Sequence, residues 1–264
     1  MEPLRRKLGM VLISVSLLFA QACTPLAVAP TVTATVAEVV ATEIPLSQQV
    51  ILTFISFKEE GHTPVYAISA QTPMLAGSDN PNVKAFNKAV AELIQHEIEY
   101  FRKNVLAQMS AQPISSGSSF DTQYVLISQK DGIWSFKFDF SGYADGAAHP
   151  YHYSLTFNYD LEKGEKLSMN DLFPSDSKYL ELISRYCIAE LSKRDIGFYG
   201  GFQDGAEPTP ENYRNWNLTP AGLLITFDEY QVAPYVVGPQ TITIPYSELK
   251  SLINPKGPLA KVTQ

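Results

Sequence analysis

Cysteine is nearly absent from this chain, with 2 among 264 residues, Cys23 and Cys187. Two thiols cannot build the crosslinked framework of a small secreted scaffold or a four-thiolate zinc site, so packing has to hold the fold. Histidine is sparse too, at 4 residues, and there is no Gly-x-Ser-x-Gly elbow or glycine-rich phosphate loop to suggest nucleophilic or nucleotide chemistry. No cofactor is expected. Excess positive charge is also missing. With 20 Lys and Arg against 27 Asp and Glu the formal charge is -7, so no basic stripe is implied that would neutralise a nucleic-acid backbone. Nucleic acid is therefore not an expected partner. What is abundant is apolar: 45% of residues are hydrophobic and 14 Tyr and 14 Phe are present, a composition that excludes disorder along the whole chain.

Long hydrophobic runs are limited to one. Arg5, Arg6 and Lys7 precede an apolar stretch over residues 8–20, the order of an export signal, and its length falls short of the ~20 residues that a bilayer span needs. Ala20, Gln21 and Ala22 then lead to Cys23, which resembles a lipobox, with Ala20 standing where that motif usually has Leu. Residues 1–22 are read as a signal peptide and Cys23 as a lipidation site, tying the protein to the membrane through a lipid anchor. Residues 23–48 are rich in Thr, Ala, Val and Pro and read as a flexible tether. The remainder, without Arg5, Arg6 and Lys7, is more acidic still, so a charge-steered partner should be basic.

The folded part shows both periods. Residues 50–58 and 66–70 are rich in β-branched and aromatic residues and read as strands. Asn80 before Pro81 is a helix opening, and Val83, Phe86, Val90, Leu93, Phe101 and Val105 extend an amphipathic helix to about residue 106. After the Ser/Gly-rich residues 115–119 the period becomes two. Trp134, Phe136, Phe138 and Phe140 alternate with polar residues, as do Tyr151, Tyr153, Leu155, Phe157 and Tyr159, giving an antiparallel meander. A second helix is expected over residues 177–194, with Leu180, Ile183, Cys187 and Leu191 on one stripe, Cys187 serving as a small buried hydrophobe. Residues 223–227 and 241–244 are expected to close the sheet, with a proline-containing tail after residue 251. The fold class is α+β: an antiparallel sheet with helices on one face, in two sequential halves, 49–150 and 151–264.

Candidate chemistry is thin. His149 and His152, with Asp145 nearby, have the residue types of a metal site but not its three or four convergent ligands, and a locally bonded turn explains them as well. His152 sits on the polar face of its strand, so the two histidines need not converge. Asp228 with Glu229, or Asp139 with Asp145, could pair for acid/base work on a glycosidic bond. No catalytic residue and no metal ligand is assigned. Residues 230–239 differ in kind: Pro234, Tyr235 and Val236, followed by Gly238 and Pro239, form a stiff loop between two apolar strands. Such a loop can present an aromatic anchor at small entropic cost. Equally, it can be a corner whose Tyr235 packs inward.

A likeness to a known family rests on three blocks. They are Gly142 to Pro150, with Gly146 and His149 in its turn; Asn158, Tyr159, Asp160 and Leu161 through Gly164 and Leu167 to Asp171, Leu172 and Phe173; and Leu224, Phe227, Glu229, Tyr230, Val232, Ala233, Pro234, Tyr235 and Gly238 through to Ile244, Pro245, Tyr246 and Leu249. The chain resembles the RsiV-like extracytoplasmic domain family, which also occurs beside the peptidoglycan deacetylase PdaC. Asp145 and Ala147 stand where the family's turn often has a pair of glycines. The resemblance implies an α+β domain outside the cytoplasm that binds lysozyme through loops, with Pro234, Tyr235, Val236, Asp145, Gly146, His149 and Pro150 as the binding residues. Only seven residues precede the apolar run, and no deacetylase barrel follows, so neither sigma-factor binding nor deacetylation is expected. The expected function is non-catalytic recognition of a basic lysozyme-type muramidase or of peptidoglycan at the cell envelope. The alternatives are a peptidoglycan-acting hydrolase and a passive structural envelope protein.

Overall fold

In the computed structural model, residues 45–110, 112–196 and 202–263 are described; the expected signal peptide and Cys23 lie outside them. The chain from Glu43 to Gln264 forms one compact unit. Six strands make its large sheet in sequence order: β1 (Ile51–His62), β2 (Val65–Ala76), β3 (Ser118–Lys130), β4 (Ile133–Tyr143), β5 (Tyr151–Asp160) and β6 (Glu165–Lys166). Neighbours run antiparallel except β2 and β3, which pair in parallel from Tyr66/Ser118 to Ala70/Thr122. A parallel pair needs a long crossover, and helix α1 (Pro81–Asn104) supplies it.

Asn80 caps α1 by accepting a hydrogen bond from the Asn82 amide at 2.8 Å, and Pro81 occupies the first turn, where its missing N–H costs nothing. The buried stripe Val83, Phe86, Val90, Ile94, Ile98 and Phe101 lies against the inner face of the sheet. Phe86 meets the rings of Tyr159, Phe136 and Phe157 at 5.3, 5.6 and 5.8 Å between centroids. This is the first hydrophobic cluster, and it takes in Leu46, which is 7% exposed. The folded part therefore begins inside the stretch assigned to the tether, where a short 3-10 turn spans Leu46–Gln48.

Strands β7 (Trp216–Leu218), β8 (Gly222–Phe227) and β9 (Gln240–Pro245) form a separate three-stranded sheet, which corrects the expectation that β8 and β9 close the first one. The reason lies on the polar side of β4 and β5. Ser135 and Asn158 alternate with aromatic residues and read as solvent-facing, yet both are buried. Asn158 Nδ2 donates to the Trp216 carbonyl at 2.8 Å, and Asn217 Nδ2 donates to Ser135 Oγ and to the Phe136 carbonyl, each at 2.9 Å. These bonds satisfy buried polar groups that would otherwise be costly, and they fasten the small sheet over the outer face of the large one.

Helix α2 (Tyr179–Leu191) buries Ile183, Cys187 and Leu191 in a second cluster with β7, β8 and β9. Burial pushes the Cys187 thiol up to about 12, so it is an inert packing residue, as the sequence suggests. Strands β3 and β7 and the C-terminal helices were not expected. Strand β3 has Phe120, Thr122, Tyr124 and Leu126 alternating with polar residues and Val125, a period the neighbouring Ser/Gly tract obscures. The tail is not loose: after α3 (Tyr246–Leu249), helix α4 (Pro258–Val262) buries Leu259 in the second cluster, and Lys261 Nζ pairs with Asp160 at 2.8 Å. The halves are sequential, but β5 beyond residue 150 stays in the large sheet, and the first cluster runs on to Leu161.

Candidate functional site

The turn after β4 is organised by Asp145. Its carboxylate accepts from the Ile114 amide, from the Ser115 amide and hydroxyl at 3.0 and 2.7 Å, and from the Gly117 amide at 3.2 Å. The Ser115 hydroxyl, followed by the backbone amides, holds this carboxyl below the usual aspartate range. Asp145 thus ties two loops together at one of the positions expected to bind. Gly146 follows at φ 86°, a left-handed conformation that glycine adopts without strain. Gly146, His149 and Pro150 are exposed, and His149 Nδ1 donates to the Pro150 carbonyl at 2.7 Å.

The second loop leaves β8 at Phe227. Asp228 is 7% exposed and accepts from the Ser154 amide of β5 at 2.9 Å, from Arg214 at 3.0 Å and from Asn215 Nδ2 at 3.1 Å. Burial raises its carboxyl above the ordinary value, with the Ser154 amide and the Arg214 cation acting against that shift. Gln231 accepts from the Asp228 amide at 3.2 Å and donates to the Gly205 and Asn212 carbonyls at 3.0 and 2.9 Å. Val232 and Ala233 are buried. The base of the loop is therefore fixed on both sides of Tyr230, which has φ 65°, a left-handed conformation that costs a non-glycine residue of order 1–2 kcal/mol.

Beyond this base, Pro234 starts a 3-10 turn, Tyr235–Val237, closed by Gly238 at φ 75°. Tyr235 lies beside the first loop, its hydroxyl donating to the Pro150 carbonyl at 3.3 Å across 85 residues of sequence. Its ring centroid is 4.3 Å from that of His149 and 5.6 Å from that of Tyr230. The inward-packed corner that the sequence left open is not what forms. Tyr235 and Pro234 are half-buried within a surface group of rings, and Val236 beside them is 89% exposed. Pro234, Tyr235, Val236, His149 and Pro150 thus come together, with Gly146 in the adjoining turn.

The acid/base pairings weighed from sequence do not assemble. Asp228 is occupied as above, and Asp139 holds Lys137 at 2.6 Å and the Ser154 hydroxyl at 2.9 Å. Among the described residues no group of three or more His, Cys, Asp or Glu is placed to hold a metal ion. His152 instead lines a separate depression of about 220 Å³ with Asp121 and Asp139. What the assembled tip can do chemically is offer π faces, an aliphatic side chain and a tyrosine hydroxyl on a pinned backbone. Sequence reasoning named Tyr230 only as loop context and missed Gln231 as a brace. The available signal was the Asp228 to Gln231 spacing of a turn, closed here by the Gln231 amide on the Asp228 carbonyl at 3.1 Å.

The architecture is that of a mixed α+β domain with a six-stranded sheet and a smaller second sheet. A family model described as "Protein of unknown function (DUF3298)" matches residues 170–247. A solved member of the DUF3298 family from Bacteroides fragilis superposes with a TM-score of 0.59 at 16% identity, covering 81% of this chain and 97% of that one, a likeness of fold. Among curated proteins, the chain is 27% identical over 169 residues to the peptidoglycan-N-acetylmuramic acid deacetylase PdaC of Bacillus subtilis, covering 63% of this chain and 36% of PdaC. It is also 27% identical over 107 residues to the esterase Rv3036c of Mycobacterium tuberculosis, covering 40% of this chain and 47% of the esterase. The chain thus spans less than half the length of either curated relative. No helix of the described residues is long and apolar enough to cross a membrane.

Proposed function

We propose that this protein is a non-catalytic binding module of the cell envelope, displayed outside the cytoplasm and attached through a lipid on Cys23. The ring group of Tyr235, Tyr230 and His149, with Val236 and Pro150 at its side, grips the partner. One observation carries this reading: two loops far apart in sequence are pinned by Asp145 and by Asp228 with Gln231 so that Tyr235 and His149 meet at the surface, 4.3 Å apart. An aromatic anchor held in place before binding loses little conformational entropy on association, the condition under which a few residues supply most of an interface's energy. The net acidic chain favours a basic partner, and a lysozyme-type muramidase has the charge and the envelope location that fit.

A second reading, a wall glycan held against the same rings, is favoured by the likeness to PdaC, whose name places it on peptidoglycan. The likeness to an esterase raises a hydrolytic reading, but among the described residues no serine is hydrogen-bonded to a histidine, so nothing in the geometry supports it. Lysozyme pull-down and calorimetry with the full chain test the proposal. Micromolar retention by the wild type is expected, with Tyr235→Ala weakening it about tenfold or more, ~1.4 kcal/mol. Lysozyme passing through unretained, while purified glycan strands bind in a Tyr235-dependent way, selects the second reading. Binding of either that ignores Tyr235→Ala removes the tip from the account.

A further inference from the structure

Strand β5 is paired with β4 along its whole length on one side, and on the other only Tyr159 and Asp160 are paired, with β6. On that outer side Asp228 takes the Ser154 amide at 2.9 Å, and the Leu167 and Gly164 amides donate to the Asn158 and Asp160 carbonyls, each at 2.8 Å. In an antiparallel strand the residues whose N–H and C=O point away from a given neighbour alternate. Ser154, Asn158 and Asp160 therefore place Thr156 in the outward set. The chain leaves the edge after Leu167 and enters the 3-10 turn Met169–Leu172. As a result the Thr156 N–H and C=O and the Asn158 N–H have no partner among the described residues, although Asn158 is only 2% exposed. Backbone groups in such a place are almost always paired, because leaving them unmatched costs the desolvation of each.

The gap borders a cavity of about 390 Å³, lined by Thr156 and Asn158 together with Met169, Tyr179, Leu180 and Trp216, a volume near the lower end for ligand sites. Trp216 is 5% exposed, and its main chain bonds Thr156 Oγ1 and Asn158 Nδ2, but its indole N–H has no acceptor among the described residues. The Tyr179 ring is braced by stacking on Phe173 at 4.6 Å. We infer that this cavity binds a short extended peptide, one residue of which continues the line of β6 and exchanges two main-chain hydrogen bonds with Thr156. Stereochemistry selects the peptide. Thr156 presents its N–H and C=O to one side, and an extended residue of an antiparallel strand presents its own N–H and C=O to one side to meet them. A single trans amide, such as the acetamido group of a sugar, points its N–H and C=O in opposite directions and satisfies only one of the two. Directly opposed residues put their side chains on the same face of a sheet. The Thr156 side chain faces the second sheet, where its Oγ1 accepts from the Trp216 amide at 3.1 Å. The side chain of the bound residue therefore enters the cavity beside Trp216, Leu180 and Met169, and no Asp or Glu lines that space, so an apolar or aromatic side chain fits it.

The site is separate from the ring group of Tyr235 and is tested with the full chain in a mild detergent and a blocked peptide, acetyl-Ser-Phe-Ser-amide. The chain has 2 tryptophans, so 1H-15N spectra carry two indole peaks, told apart with Trp134→Phe. Titration to about 5 mM should move the Thr156 and Asn158 amides downfield and shift the Trp216 indole while Trp134 stays in place, with a Kd of about a millimolar. The same peptide N-methylated at Phe lacks the donor for the Thr156 carbonyl and should bind about tenfold more weakly. On the protein side, Thr156→Ala keeps the backbone and should bind within about threefold of the wild type. Thr156→Pro removes the outward N–H at an edge position, where proline is tolerated, and should lose the peptide with an unchanged circular dichroism spectrum. No shift at about 5 mM, equal binding of the N-methylated peptide, or N-acetylglucosamine moving the same peaks as tightly overturns the inference.

Discussion

Asp145, one of the residues picked out for recognition, also holds the shape of its turn. Its carboxylate gathers amides from residues 114–117, and those bonds hold its ionisation below the ordinary range. A carboxyl depressed in the fold stabilises the folded state fully above the ordinary aspartate value near 4, and that contribution is lost as pH falls through the lower folded value. In 1H-15N spectra, the Ser115 and Gly117 amides should therefore keep their neutral-pH shifts down to about pH 4 and move only below it. Asp145→Ala should show the loosened loop already at neutral pH, without that titration. The neighbouring Tyr235 depends on the same logic at a distance, since Asp228 and Gln231 fix the backbone from which it projects.

At the scale of elements, α1 and its sheet were the most legible part of the molecule, because a 3.6-residue stripe and a two-residue alternation each need only local residues to be recognised. Asn80 and Pro81 marked the start of the helix, and Val83, Phe86, Val90 and Phe101 are buried as expected, with Ile94 and Ile98 completing the stripe where Leu93 and Val105, only partly buried, were expected. Phe86 is fully buried among four rings of β4 and β5. Phe86→Ala should cost about 3–5 kcal/mol in urea denaturation, from lost burial and the cavity left behind, and Lys84→Ala, on the exposed side of the same helix, less than ~0.5 kcal/mol. The parallel β2/β3 pairing was not legible, since it depends on where the crossover helix returns the chain.

Across the whole unit, two hydrophobic clusters meet through a polar seam of Ser135, Asn158 and Asn217, all buried. One of the two tryptophans lies in each cluster, Trp134 in the first and Trp216 in the second. If the seam couples the halves, thermal unfolding followed by fluorescence in Trp134→Phe and in Trp216→Phe, each compared with its own circular dichroism curve, should give coincident transitions. Separate transitions would mean that the halves unfold independently.

The order of residues by itself determined the α+β class, the first helix and its N-cap, the central alternating strands and the two loops worth examining. All of these follow from neighbours within a few positions. Only the tertiary structure decided that Ser135 and Asn158 face a second sheet instead of water, that the C-terminal tail packs, and that Tyr235 stands beside His149. Those outcomes depend on which surfaces meet after residues 58 or more apart are brought together, and that information is carried by no local period.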